Sequence, residues 1–277
     1  MWHLNKYCFQ FYVLPLHIMT VKYIFVIILC FSEKTVHSSE CGVLKNANNP
    51  PWNIGIYKGI KNNNLEIVCL GTAIKSNLIV TAAHCLCDQS GKLRNEEFYV
   101  SSKKLDKNIK DNRNLQKVEK NNVFLHRAFK GDVKHGDIAV VKLQMNLKND
   151  ESIPICIDWE NTTPLLHDGE KFRHSSWQNG NLKMIDVSYV DYENCPNLAS
   201  TSFRKFLTSD KLCAKSVKGL TAGDLDEGSG LVYFNFNDSL WYIRGVVCGH
   251  DPERTDLITY SDAVLYLNWL SDISSRL

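Results

Sequence analysis

Long hydrophobic runs are missing from this 277-residue sequence. The most apolar stretch, residues 23–31, falls well short of the ~20 residues that a membrane-spanning helix needs. The longer segment 9–31 is interrupted by Pro15, His17 and Lys22. Excess charge of either sign is scarce as well: the formal net charge is +2, and setting aside Lys6, Lys22, Lys34 and Glu33 near the N-terminus balances the rest. No basic stripe is interleaved with aromatic residues, so neither nucleic acid nor a membrane surface is expected as a partner. Internal repeats and low-complexity linkers are absent, and the composition excludes a fibrous repeat, a coiled coil and a disordered chain. At 44% hydrophobic residues, the chain has enough apolar material for a substantial core.

What is present begins with a leader. Lys22 precedes the apolar run, and a polar stretch then ends in Val36-His37-Ser38. This order of basic, apolar and small residues predicts a secretory signal over 1–38, cleaved after Ser38. An uncleaved anchor made from the whole of 9–31 is the alternative, and Met1 and Met19 are both candidate starts. Cleavage leaves Cys41, Cys69, Cys85, Cys87, Cys156, Cys195, Cys213 and Cys248. An even set in an exported chain reads as a disulfide framework whose connectivity counting does not fix. Asn161-Thr162-Thr163 and Asn237-Asp238-Ser239 are acceptor sequences for N-glycosylation. They suit export, and such tripeptides also occur by chance.

Residues 39–277 read as one all-β domain. Short apolar runs at 52–57, 67–74, 78–81, 99–101, 138–143, 184–190 and 242–248 alternate with turn-rich breaks, the pattern of a barrel or sandwich. Residues 103–120 form a charged insert expected as a solvated loop. Ala263, Tyr266, Leu267, Leu270 and Ile273 fall at helical spacing and predict one amphipathic C-terminal helix.

Two motifs carry chemistry. The first is Thr81-Ala82-Ala83-His84-Cys85, and the second is His135-Gly136-Asp137 opening the apolar run 138–143. A carboxylate at the head of a buried strand needs a hydrogen-bonding partner. His84 suits it, because an aspartate can fix the tautomer and orientation of an imidazole. In this order the motifs resemble the chymotrypsin/trypsin-like serine protease family, whose triad runs histidine, aspartate, serine along the chain. Pro51-Trp52, Pro154-Ile155-Cys156, Gly245-Val246-Val247 and Tyr266-Leu267-Asn268-Trp269-Leu270 extend the likeness from Cys41 almost to Leu277. Within that family the likeness is nearest to the terminal protease-like domains of insect modular serine proteases and their inactive relatives. It implies two six-stranded antiparallel β-barrels with a C-terminal α-helix. It also implies the disulfides Cys41–Cys156, Cys69–Cys85 and Cys195–Cys213, leaving Cys87 and Cys248 over. The family bridge beside the nucleophile is missing, since Gly223 stands at its first cysteine.

The family nucleophile sits in Gly-Asp-Ser-Gly-Gly, whereas this chain has Leu225-Asp226-Glu227-Gly228-Ser229-Gly230. Gapless matching to the strand beginning Leu231-Val232 places Glu227 on the serine and Leu225 on the oxyanion glycine. Counted back from Trp269, the resemblance implies Thr221 at the base of the specificity pocket and Ile258 on a pocket-wall glycine. A carboxylate does not replace a hydroxyl in peptide acylation, because attack would give an anhydride. Its charge opposes a developing oxyanion and favours protonated His84. Residues 42–51 contain no Ile-Val-Gly-Gly-like activation sequence, so Asp226 is left without the amino terminus that pairs with its family counterpart.

The expectation is a secreted, catalytically inactive serine protease homologue without a cofactor. It would act as a binding cofactor, decoy or regulator toward an extracellular protease or zymogen, in settings such as insect immunity or venom. The rival reading is an active endopeptidase using His84, Asp137 and a shifted Ser229, or a thiol mechanism through Cys248. A third reading sets a metal among Asp224, Asp226 and Glu227, although no coordination spacing supports it.

Overall fold

The computed structural model describes residues 41–277 except 46–49, 61–63, 103–104, 107, 110–114, 148–151, 163–164, 180 and 218–219. The signal sequence expected over 1–38 therefore lies outside the described residues. Among those residues no helix is long and apolar enough to cross a membrane.

The first sheet contains β1 (Asn53–Gly59), β2 (Leu65–Lys75), β3 (Leu78–Thr81) and β4 (Phe98–Ser101). It continues with β5 (Asn108–Ile109), β6 (Gln116–Lys117), β7 (Val123–Leu125) and β8 (Ala139–Lys142). Their order is β6-β4-β1-β2-β3-β8-β7, with β5 also paired to β2. This sheet has eight strands and an open hydrogen-bond path, where a closed barrel of six was expected. Part of the difference comes from the charged insert. It supplies β5 and β6, which pair with β2 and β4, and it buries Leu105 and Val118. Scattered apolar residues in a polar stretch suffice to dock short strands on exposed sheet edges.

The second sheet closes into a six-stranded barrel in the order β10-β11-β14-β13-β12-β9. Its strands are β9 (Lys171–Gln178), β10 (Asn181–Val190), β11 (Lys211–Ser216), β12 (Gly230–Asn235), β13 (Leu240–Asp251) and β14 (Arg254–Asp262). The strands alternate buried and exposed residues irregularly because one face packs inside its own sheet and parts of the other face pack between the two sheets. One cluster joins Trp52, Ile79 and Val140 of the first sheet to Val232, Ile243 and Val246 of the second. Tyr266, Leu270 and Ile273 cover the same cluster from the chain end, where a 3-10 turn, Ala263–Tyr266, leads into the helix Leu267–Arg276.

Disulfides join Cys41 to Cys156, Cys69 to Cys85 and Cys195 to Cys213. The first anchors the N-terminal tail, helped by Gly42 N–H donating to the Pro154 carbonyl and Trp241 N–H donating to that of Gly42. Cys87 and Cys248 are free and buried. Burial pushes both thiols up to about 12.

Candidate active site

Strand register brings the histidine and aspartate together. Thr81 of β3 pairs with Ala139 of β8. The chain leaving β3 and the chain entering β8 therefore meet at the same sheet end. His84 follows on a 3-10 turn, Ala83–Cys85, tied to β2 through the Cys69–Cys85 disulfide. Asp137 is fully buried just before β8. It accepts from the His84 backbone N–H at 2.9 Å and from Nδ1 at 2.6 Å, which fixes the ring.

Glu227 arrives from the second barrel. Its backbone carbonyl accepts from Leu70 N–H at 2.8 Å, and the next residue, Gly228, donates to the Val247 carbonyl at 2.8 Å. Gly228 holds φ +84, and a Cβ there would lie 2.1 Å from the Leu70 carbonyl oxygen. Only glycine fits that corner. The corner in turn aims the Glu227 side chain at His84, whose Nε2 lies 2.7 Å from Oε2. The other carboxylate oxygen accepts from Lys134 Nζ at 2.9 Å, and the same ammonium donates to the Cys248 carbonyl at 2.7 Å.

The imidazole is thus held between two carboxylates. Burial by itself lowers the His84 pKa, but Asp137 and Glu227 outweigh it and raise the ring to about 9. Burial raises Asp137 and Glu227, and the facing cations reverse this, holding both below the usual carboxylate range. Burial likewise lowers Lys134, and Glu227 and Asp137 more than restore it. At neutral pH the four groups form a charged chain, Asp137–His84–Glu227–Lys134, with both imidazole N–H groups donating. An imidazolium has no lone pair to take a proton.

Lys134 escaped the sequence reading. It lies three residues before Asp137 with φ 53, in a turn whose His135 and Gly136 both bind Asp210. The available signal was chemical: a carboxylate placed against a histidine–aspartate pair needs a second cation, and Lys134 is the nearest in sequence to that pair.

The other residues singled out in the sequence lie elsewhere. Ser229 is buried, and its Oγ accepts from Ser175 N–H at 3.1 Å. Cys248 Sγ faces Ser261 Oγ at 3.0 Å. Among the described residues neither is hydrogen-bonded to His84. Asp226 is buried and points away from Glu227, accepting from Ser176 Oγ at 2.6 Å, Trp177 N–H at 2.7 Å and Gly223 N–H at 3.0 Å. Burial raises it to about 6 against the pull of those donors. These three donors satisfy the buried Asp226 carboxylate.

Asp224 turns outward, its side chain 91% exposed, so the three acids do not converge on a metal. The described residues with the spacing for chelation are Cys69, His84 and Cys85, and the disulfide consumes both thiolates. Leu225 packs against the cluster of Tyr57, Ile67 and Leu70. A 3-10 turn over Asp224–Asp226 commits the Glu227 N–H to the Asp224 carbonyl at 3.3 Å. That N–H is therefore not presented to a substrate oxygen. Ile258 is fully buried in one cluster with Ala222, Leu212 and Tyr260, and Thr221 is exposed. Ile258 therefore packs into the barrel interior, while a cavity of about 230 Å³ lined by Asp224, Cys248, Gly249 and His250 adjoins Glu227.

Two antiparallel sheets with a histidine–aspartate pair between them define the class of chymotrypsin-like proteins. The chain belongs to the trypsin family, whose model matches residues 41–269. It is 28% identical to the clotting factor G beta subunit of Tachypleus tridentatus, over 81% of this chain and 75% of that one. It is 25% identical to complement factor I of Mus musculus, over 87% of this chain and 40% of that longer protein. The venom peptide isomerase heavy chain of Agelenopsis aperta is 24% identical, over 80% and 93%.

Proposed function

We propose that this chain is a secreted trypsin-family protein that does not cleave peptides and acts by binding a protease or zymogen of an extracellular cascade. The observation that carries the reading is Glu227, which stands at the nucleophile position with its carboxylate between His84 and Lys134. Catalysis in this family needs a hydroxyl, a neutral imidazole and two inward N–H groups. Here the first is absent, the second is protonated, and Glu227 N–H is bonded within its own turn. Loss of a serine nucleophile alone costs on the order of 10⁶ in turnover. The likeness to a clotting factor subunit and to complement factor I supports a place in such a cascade.

The test has two arms. Purified protein is assayed with peptide substrates and a fluorophosphonate probe, beside His84→Ala. It is then added to an extracellular fluid in which a proteolytic cascade is triggered. Equal, background-level hydrolysis by both proteins, together with an equal change in cascade rate, supports the reading. Hydrolysis or labelling that depends on His84 overturns it.

A further inference from the structure

The hairpin joining β12 to β13 carries the second glycosylation sequence at its tip. Asn235 pairs with Leu240, and the turn is closed by Ser239 N–H donating to the Asn235 carbonyl at 2.9 Å and by Asn237 N–H donating to Asn235 Oδ1 at 3.0 Å. The turn is therefore complete without the Asn237 side chain. That side chain is exposed and makes no hydrogen bond among the described residues. Beside it Phe236 is 86% exposed. Phe236 is not isolated: it packs edge-on to Phe234 and lines one aromatic patch with Tyr233 and Tyr242, and contiguous exposed patches rather than single residues mark covered surfaces.

Next to Asn237 lies a cleft of about 540 Å³. Its aromatic lining is Tyr233, Phe234, Phe236 and Tyr242, with Tyr233 stacked on Tyr242 and Phe234 edge-on to Phe236. Its polar lining includes Asp158, Glu170 and Asp238, whose carboxylates already accept from Thr162 Oγ1, His167 N–H and Tyr242 O–H and have lone pairs to spare. Both halves suit a sugar. The C–H face of a pyranose carries partial positive charge and packs on the negative face of an aromatic ring, while ionised carboxylates accept from hydroxyls.

From the sequon, the freed side chain and the adjoining cleft, we infer that Asn237 carries an N-linked glycan whose first sugars fold back over Phe236 into this cleft. The inference rests on the export expected from the sequence. During export, Asn237 Nδ2 bonds to the anomeric carbon of an oligosaccharide linked to a lipid diphosphate. The anomeric C–O bond breaks, the lipid diphosphate leaves and the amide loses one proton. The glycan then makes this face a covered one. The cleft shares no residue with the His84–Glu227 centre.

The full chain is expressed with its leader in cultured eukaryotic cells, and the secreted protein is digested for mass spectrometry with and without amidase release in heavy-oxygen water. The Asn237 peptide is expected to carry hexosamine and to convert to labelled aspartate on release. Release from folded protein is expected at least tenfold more slowly than from denatured protein, and several-fold faster in folded Phe236→Ala than in folded wild type. Secretion with Asn237 bare overturns the inference alone, whereas retention in the cell with Asn237 bare overturns export as well. Equal release rates from folded and denatured wild type overturn the packing, and this comparison stands even where Phe236→Ala does not fold.

Discussion

Replacing Glu227 by glutamine removes one negative charge and almost no volume. The native arrangement places Lys134 Nζ 3.4 Å from His84 Nε2, with the carboxylate between them. Without it, two cations face each other in a cleft where their side chains are only 22% and 16% exposed. At an effective dielectric of ~20 the repulsion is about 5 kcal/mol. The protein avoids that cost by releasing the His84 proton. What is then lost is the stabilisation stored in the raised histidine.

His84 at about 9, against an unfolded value of 6.5, corresponds to about 3 kcal/mol. Because the folded pKa is the higher one, this contribution is complete below pH 6.5 and is lost as pH rises through 9. Glu227→Gln is therefore expected to cost about 3 kcal/mol at pH 6. That is about 10 °C in melting temperature for a domain of this size. The gap between wild type and variant narrows above pH 9. Two measurements check it: NMR titration of the His84 imidazole C–H signal from pH 5 to 10, assigned by its loss in His84→Gln, and denaturant unfolding of both proteins across the same range. A wild-type His84 titrating near 6.5, or a variant within ~0.5 kcal/mol of wild type at pH 6, would refute the reasoning.

Three further outcomes are expected. Glu227→Ser restores the hydroxyl but leaves the residue-227 N–H bonded to the Asp224 carbonyl and Ile258 packed against Ala222 and Tyr260, so peptide hydrolysis stays at background; measurable turnover would show that the 3-10 turn yields to substrate. Gly228→Ala puts a methyl group 2.1 Å from a backbone oxygen at φ +84, and should cost about 3 kcal/mol or more in urea unfolding, with aggregation of the expressed protein as the extreme. Cys87 and Cys248, buried and pushed up to about 12, should resist a thiol reagent at pH 8 in folded protein and react at once in denaturant; rapid native labelling of either would contradict their packing.

The sequence by itself determined the family scaffold and the identity of the misplaced residue. The periodicity of 78–81 and 138–143 marked β3 and β8, and the order of His84, Asp137 and Glu227 marked the site, because chain order and apolar alternation are linear properties. Alternation was weaker for β9, β11, β12 and β14. Strands that bury polar groups such as His174, Ser175 and Ser176 do not look apolar in sequence.

What only the tertiary structure decided is the company Glu227 keeps. The β3–β8 register sets His84 on Asp137, the Gly228 corner turns Glu227 toward it, and the positive φ of Lys134 itself directs its side chain across to close the chain of charges. The insert's short strands and the partners of Asp226 belong to the same category. Charge compensation depends on distances of about 3 Å between residues up to 143 positions apart, and such distances are fixed by packing rather than by spacing along the chain.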